Sequence, residues 1–448
     1  MIITNSTIIS WAEISPIILN KDVVILEDKI IEIDDHEKVL KKYPGEPIFD
    51  AGAKILMPGM ICAHTHFYGL FSRGLNIPGT SPRNFTEILN KLWWPLDSSL
   101  EIEDVKYCAL VCLIDAIKHG TTTLFDHHAS PNCVEGSLDA ICDAFYQTGV
   151  RGIVSYEVTD RYGDLGTTQS INENSRIIKK IETIEERQRL VNASFGVHAG
   201  LTISNKTLEL IKANLPKGHG IHIHVAEDAS DEEDSIKKSG LRVIERLEKY
   251  GLIGKDSILV HGVHLNDKEM EIIKEKEAWI THQPRSNMNN AVGIPDIEKM
   301  LGLGIKVCLG NDGFSNAMWD EWRTCYLVHK IEKRDPQSMK GNLITKIAIE
   351  NNSKLATHLF KNQLIGKIQP DYQADLILVD YQPITEMNKN NLPWHILFGF
   401  RDSMVTHTMV KGKWLMKDRE IVGLSENEIY VKALELSKNV WKRYQSKF

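Results

Sequence analysis

No stretch of this 448-residue chain approaches the roughly 20 consecutive apolar residues a helix needs to cross a bilayer, so no membrane span is expected. Basic residues gather only into short pairs such as Lys179-Lys180, and the formal charge is −7, which argues against a nucleic-acid partner. Cysteine is sparse, with seven residues at scattered positions and no Cys-x-x-Cys. An odd, scattered set excludes a disulfide scaffold and a zinc ribbon, and fits a reducing cytoplasm. The opening MIITNSTIISWAEI lacks a basic region, a long apolar stretch and small cleavage residues. A signal peptide is therefore not expected, and the expected location is the cytoplasm. Internal repeats, low-complexity tracts and long linkers are missing too. What remains is an ordinary soluble-enzyme composition, 42% hydrophobic and 25% charged, on a chain long enough for one large domain beside a small one.

Three zones follow from the patterning. Residues 1–57 read as short strands, with Val23-Val24-Ile25-Leu26 and Ile30-Ile31-Glu32-Ile33 flanking the hairpin-like break Glu27-Asp28-Lys29. Across residues 58–362, strand-like runs alternate with helical segments. The runs are ICAHTHF, TTTLF, GIVSYEV, NASFGVHAG, GIHIHVAE, SILVHGVHL, AWITHQP and KVCLGND. Eight strands with helical connections predict an α/β chain built on a parallel (β/α)8 barrel. One helix is predicted from about Glu101 to His119, with Ser98 and Glu101 as a capping box and Gly120 as its stop. Residues 363–423 return to strands, including VTHTMVKGKWLMKD, a hairpin turning at Lys411-Gly412-Lys413, and residues 424–448 predict a terminal helix. The two strand-rich ends are expected to form one small sheet domain beside the barrel.

Polar residues collect where a barrel keeps its active site, at the C-terminal ends of the strands. His64 and His66 alternate at the end of the first strand and share a face. His222 and His224 alternate on the fifth, followed by Glu227, while His261 and His264 end the sixth and Asp312 the eighth. Three imidazoles and a carboxylate suit a zinc or ferrous ion with a position left for water. Glu227 is close enough to such a water to take its proton and pass it to a leaving nitrogen. A single His-x-His is weak on its own; the set is strong because every member falls at a strand end.

In the order PGMICAHTH, HIHVAE, LVHGVHL and LGNDG, nearly the whole chain resembles the amidohydrolase superfamily, in its branch of mononuclear aromatic-ring deaminases and chlorohydrolases. LWWPLD at 92–97, FDHHASP at 125–131, HIHVAED at 222–228 and RSNMNN at 285–290 add specificity between the general motifs. The resemblance implies a distorted (β/α)8 TIM-type barrel with a composite β-sandwich made from both termini. It implies metal ligands at His64, His66, His224 and Asp312, a proton shuttle at Glu227, a water-orienting His261 that with Asp312 helps remove the water's proton, and a substrate-facing His198. No lysine stands in GIVSYEV or NASFGVHAG to bridge two metals, so one divalent ion is expected, zinc ahead of iron. Asn311 replaces a usual threonine, and Asp97 stands where purine-handling relatives often carry glutamate. The implied activity is hydrolytic deamination of a ring amidine in a purine-like or other nitrogen heterocycle. Cyclic-amide hydrolysis of the imidazolonepropionase type and heteroaromatic dechlorination are the alternatives. Trp93, Trp94 and Phe67 are expected to stack on the ring, and Asp97, His198, Arg285 and Asn287 to meet its polar edges. A homo-oligomer, a dimer or larger, is the expected assembly.

Plainer readings stand beside these. His264 packs locally in the simpler view. Of His127 and His128, adjacent on a strand, at most one can point inward. The acidic run from Asp228 to Asp234 lacks calcium-loop spacing and reads as a solvated helix start. Arg285 could equally pair with a nearby carboxylate such as Asp97 or Asp126.

Overall fold

A computed structural model describes residues 1–13 and 16–448. Parallel strands dominate the middle of the chain because their Val, Ile and Leu runs are covered on both faces. Met60–Thr65, Thr121–His128, Arg151–Tyr156 and Val191–Ala193 make one hydrogen-bonded sheet. Phe195–Ala199, Ile221–Val225, Ile258–His261, Trp279–His282 and Lys306–Leu309 make a second. Every neighbouring pair is parallel and in chain order. All eight expected runs carry strands, the fourth being split at Ser194 between the two sheets. A single bridge, Val158 with Val197, joins the sheets on one side. On the other, the Asn311 and Asp312 N–H groups donate to the His64 carbonyl at 3.0 and 3.1 Å. The ring of strands is thus in series, without a continuous ladder around it.

The helix Ile102–Lys118 lies close to its expected span and buries Val105, Cys108, Ala109 and Ala116. Its cap differs from the expectation. The Glu101 N–H donates to the Asp104 carboxylate at 2.8 Å, whereas the Ser98 hydroxyl donates to the Trp94 carbonyl at 2.8 Å and belongs to the preceding turn. A serine that can satisfy the carbonyl behind it is lost to the helix ahead of it.

Strands from both termini share one seven-stranded sheet, in which Leu376–Val379 pairs with Ile55–Pro58 and with Val405–Val410. A four-stranded sheet holds Ile2–Thr4 and the hairpin of Asp22–Leu26 with Lys29–Asp34. One apolar cluster, including Ile3, Val23, Leu56, Leu376 and Met409, spans the two sheets. The C-terminal hairpin turns at Lys411 and Gly412, with φ of 49° and 71°, the left-handed pair that a two-residue turn requires. A Cβ on Gly412 would also lie 2.4 Å from the Glu27 carbonyl oxygen, so glycine lets the two terminal hairpins touch. Deeper in, Arg151 is fully buried, with its Nε 2.8 Å from Asp375 Oδ2, and ties the parallel strands to this terminal sheet.

Candidate metal centre

Strand alternation brings His64 and His66 to one face, and the fifth and eighth strands deliver His224 and Asp312 opposite them. One donor atom from each of these four lies within 4.8 Å of the others. Asp312 Oδ1 is 3.1 Å from His64 Nε2 and 3.0 Å from His66 Nε2, and the Nε2 atoms of His66 and His224 are 3.2 Å apart. Their other nitrogens are already committed. His66 Nδ1 donates to the His127 carbonyl at 2.5 Å and His224 Nδ1 to the His198 carbonyl at 2.7 Å. Fixing hydrogen on Nδ1 leaves the Nε2 lone pairs converging, which is how ligating imidazoles are prepared for a cation. Burial works against a charge on His66, but Asp312 and Glu157 outweigh it and push the ring up to about 9, so this spot favours positive charge. The four donors therefore fit one divalent ion.

The helix Pro284–Asn290 braces the centre with successive side chains. The Ser286 hydroxyl donates to Asp312 Oδ2, and Asn290 Nδ2 donates to Glu227 Oε1 at 3.3 Å. His261 Nδ1 donates to Asn287 Oδ1 at 2.8 Å, which leaves Nε2 an acceptor 3.4 Å from Glu227 Oε2, buried and without a hydrogen-bond partner. Both His261 and Asp312 hold left-handed backbone, with φ of 70° and 58°. Strain in two adjacent site residues is characteristic of a functional constellation, since it persists only where the surroundings enforce it. Burial pushes the Glu227 carboxyl up to about 7, opposed by His261 and reinforced by Asp312. A carboxyl near neutrality can both take and give a proton.

Residues 55–415 match the amidohydrolase family. The chain belongs to that family. Among its relatives, the 5'-deoxyadenosine deaminase of Methanobrevibacter smithii is 32% identical over 424 residues, covering 92% of this chain and 91% of that one. The 5'-deoxyadenosine deaminase of Methanopyrus kandleri is 29% identical over 432 residues, 95% of this chain and 96% of that one. In fold, the chain resembles a zinc-bound adenosine deaminase from Xanthomonas campestris, with a TM-score of 0.85, 98% of each chain covered and 19% identity. The α/β architecture is thus the amidohydrolase one, and a metal-dependent amidohydrolase is an enzyme acting on carbon–nitrogen bonds. No helix among the described residues is long and apolar enough to cross a membrane.

A cavity opens beside the centre, lined by His66, His224, Glu227 and Asp312 on one side and by Trp93, Trp94, Asp97 and His198 among others. Three expected substrate contacts do not line it. Asn287 is turned to His261, and Arg285 is held by Glu321 and by the Ser315 hydroxyl and carbonyl, at 3.1 and 2.7 Å. Their motif serves the centre from behind, because a short helix at a strand end directs successive residues to different elements. Phe67 is buried in the core and does not line the cavity. His264 Nε2 donates to the Val292 carbonyl at 3.0 Å, away from the metal donors. His127 points inward and His128 bonds Ser130 at 2.8 Å, as strand alternation demands.

Two residues escaped the sequence reading. Glu157, 1% exposed, lies 3.2 Å from His127 Nδ1, 3.7 Å from His66 Nδ1 and 3.8 Å from His198 Nε2. His127 Nε2 meanwhile faces the His222 carbonyl at 2.9 Å, so each of its ring nitrogens lies beside an oxygen. The signal was available: Glu157 directly follows the third strand, as His66 follows the bulk of the first. The other is Arg161, in the loop beyond that strand, which supplies the cation expected of Arg285.

Proposed function

We infer that this amidohydrolase deaminates a nitrogen heterocycle, replacing an amino group on a ring amidine carbon by oxygen and releasing ammonia. His64, His66, His224 and Asp312 would hold the ion, with zinc proposed because nitrogen-rich donor sets of this size suit it. When bound, the ion supplies the Lewis acidity that makes water a nucleophile near neutral pH. The observation that carries the reading is Glu227, raised toward neutrality and placed between His261 and the donors. Glu227 Oε2 takes one proton from the attacking water and hands it to the ring nitrogen, then carries the second proton of that water to the amino group, which leaves as ammonia. His261 accepts a hydrogen bond from that water at Nε2, its tautomer fixed by Asn287. Trp93, Trp94, Asp97 and His198 form the rest of the pocket, with aromatic faces suited to a flat ring. The names of the curated relatives support a purine-type amidine. We further read the two parallel sheets as one distorted eight-stranded barrel, and the terminal strands as a composite β-sandwich.

Glu227→Gln keeps size and hydrogen bonding but cannot carry a proton. Ammonia release from a panel of aminopurines and aminopyrimidines is expected to fall about 100-fold or more in this variant, with metal content unchanged. Near-native turnover by the variant would falsify the shuttle.

A further inference from the structure

Arg161 stands in the wall of the same cavity as the metal donors, and its surroundings are unusually complete. Its Nη2 donates to Asp97 Oδ2 at 2.8 Å, its Nη1 to the Tyr162 hydroxyl at 3.1 Å, and its Nε to Thr159 Oγ1 at 3.3 Å. The Tyr162 hydroxyl in turn donates to Asp97 Oδ1 at 3.0 Å. The guanidinium also lies over the rings of Trp94 and Tyr162, 4.8 and 4.9 Å from their centroids. This clamp has two consequences. Each Asp97 oxygen already accepts one hydrogen bond within the clamp, and the side chain is 1% exposed, so Asp97 is shielded from substrate hydroxyls. Arg161, with 11% of its side chain exposed, has five N–H groups and three hydrogen-bond partners. Two donors remain, fixed in plane. The same wall holds the Trp94 Nε1–H, which is buried and has no acceptor. This face of the pocket therefore has donors to spare, while the carboxylate of the clamp is already engaged by Arg161 and Tyr162.

We propose that Arg161 determines specificity by receiving an oxygen acceptor on the substrate ring, a carbonyl or a carboxylate, and that the enzyme takes such heterocycles as free bases in preference to nucleosides. The preference departs from the nucleosides for which the relatives are named. A ribose presents hydroxyl donors, which need a free carboxylate; a ring oxygen presents lone pairs, which a planar guanidinium fork matches. Asp97 is then a positioning residue, and it acts by holding the fork flat against Trp94.

The inference builds on the deaminase reading, so its test reads binding separately from turnover. Zinc-loaded Glu227→Gln protein is titrated calorimetrically with isocytosine, 2-aminopyrimidine-4-carboxylate, 2,4-diaminopyrimidine and 5'-deoxyadenosine. The first two carry the oxygen acceptor, as carbonyl and as carboxylate; the third lacks it, and the fourth carries ribose. Isocytosine or the carboxylate, or both, should bind about 10- to 100-fold more tightly than 2,4-diaminopyrimidine and 5'-deoxyadenosine, the range of one charge-assisted contact. Combining Arg161→Gln with Asp97→Asn removes both charges without stranding either, and should erase that preference while zinc content stays the same. Arg161→Lys, which keeps the charge and loses the fork, should recover only part of it. Equal binding of all four compounds, tighter binding of 5'-deoxyadenosine, or a preference that survives the double substitution overturns the proposal. No binding by any of the four overturns it as well. Preferential binding without ammonia release by the parent enzyme leaves it standing and overturns the deaminase reading instead.

Discussion

The strand Arg151–Tyr156 has a buried ion at each end, and the two ends are built on different principles. At its start, Arg151 donates to Asp375 through Nε and Nη2, to Gln363 at 2.5 Å and to Gln373 at 3.2 Å. Asp375 also accepts from the Lys411 N–H at 2.8 Å, and Gln363 Nε2 donates to the Glu186 and Arg189 carbonyls. Just past the other end, Glu157 faces His127, His66 and His198, and in the surrounding site His261 Nε2, His222 Nδ1 and Asn287 Nδ2 have no hydrogen-bond partner. The left-handed residues Ala226, His261 and Asp312 gather there too. A buried polar cluster whose groups are mutually satisfied is scaffold; one that keeps lone pairs uncommitted and backbone strained is built to receive something. The comparison locates function more sharply than burial does, since Arg151 and Glu157 are both buried.

Damage at the two ends should therefore separate. His224→Ala removes one of the four proposed metal donors, and the largest effect is expected here. Elemental analysis should show metal falling from about one ion per chain to almost none, with ammonia release below detection. The melting temperature without metal should move by only about 2–4 °C, roughly 1 kcal/mol for a large domain. Full retention of metal would place the ion elsewhere. Arg151→Ala acts oppositely. It leaves the Asp375 carboxylate buried without its cation, which typically costs about 3–5 kcal/mol, while the folded fraction keeps its metal. Replacing both partners, Arg151→Met with Asp375→Leu, should restore much of the loss, because no charge is then stranded. Metal loss in Arg151→Ala at full folding would erase the distinction between the ends.

The same contrast explains what the sequence could show. His64, His66, His224 and Asp312 were legible because strand periodicity and strand ends are local patterns, repeated eight times. The hairpin at Lys411-Gly412 was legible for the same reason. Glu157 was not, because its meaning comes from His66, His127 and His198, each from a different strand. Arg161 lies in a loop, where nothing in the neighbouring residues tells which cavity it will line. Asn287 and Arg285 were seen as important but assigned to the wrong side, since a motif reveals that residues matter before it reveals which way a helix turns them. The missing ladder between Lys306–Leu309 and Met60–Thr65 is a property of strand geometry around the whole ring, and no single segment encodes it.

Arg285 offers the finest test, because it lies beside the centre yet belongs to the scaffold side of the comparison. Its guanidinium pairs with Glu321, which is fully buried. Burial pushes the Glu321 carboxyl up to about 7, against the downward pull of Arg285. A folded value above the ordinary 4.5 means that this group's stabilising contribution is complete below about pH 4.5 and declines as pH rises through 7. Arg285→Ala removes the downward pull, carries the folded value higher and makes the ionised form costlier. Near pH 5 the carboxyl is protonated with or without arginine, so the variant should lose little stability there. By pH 8 to 9 the loss should reach about 1–3 kcal/mol, the cost of a buried polar group left without its partner. Denaturant melts across that range measure it, with metal content unchanged throughout. A penalty independent of pH, or a fall in kcat/KM at constant stability, would move Arg285 from the scaffold into the pocket.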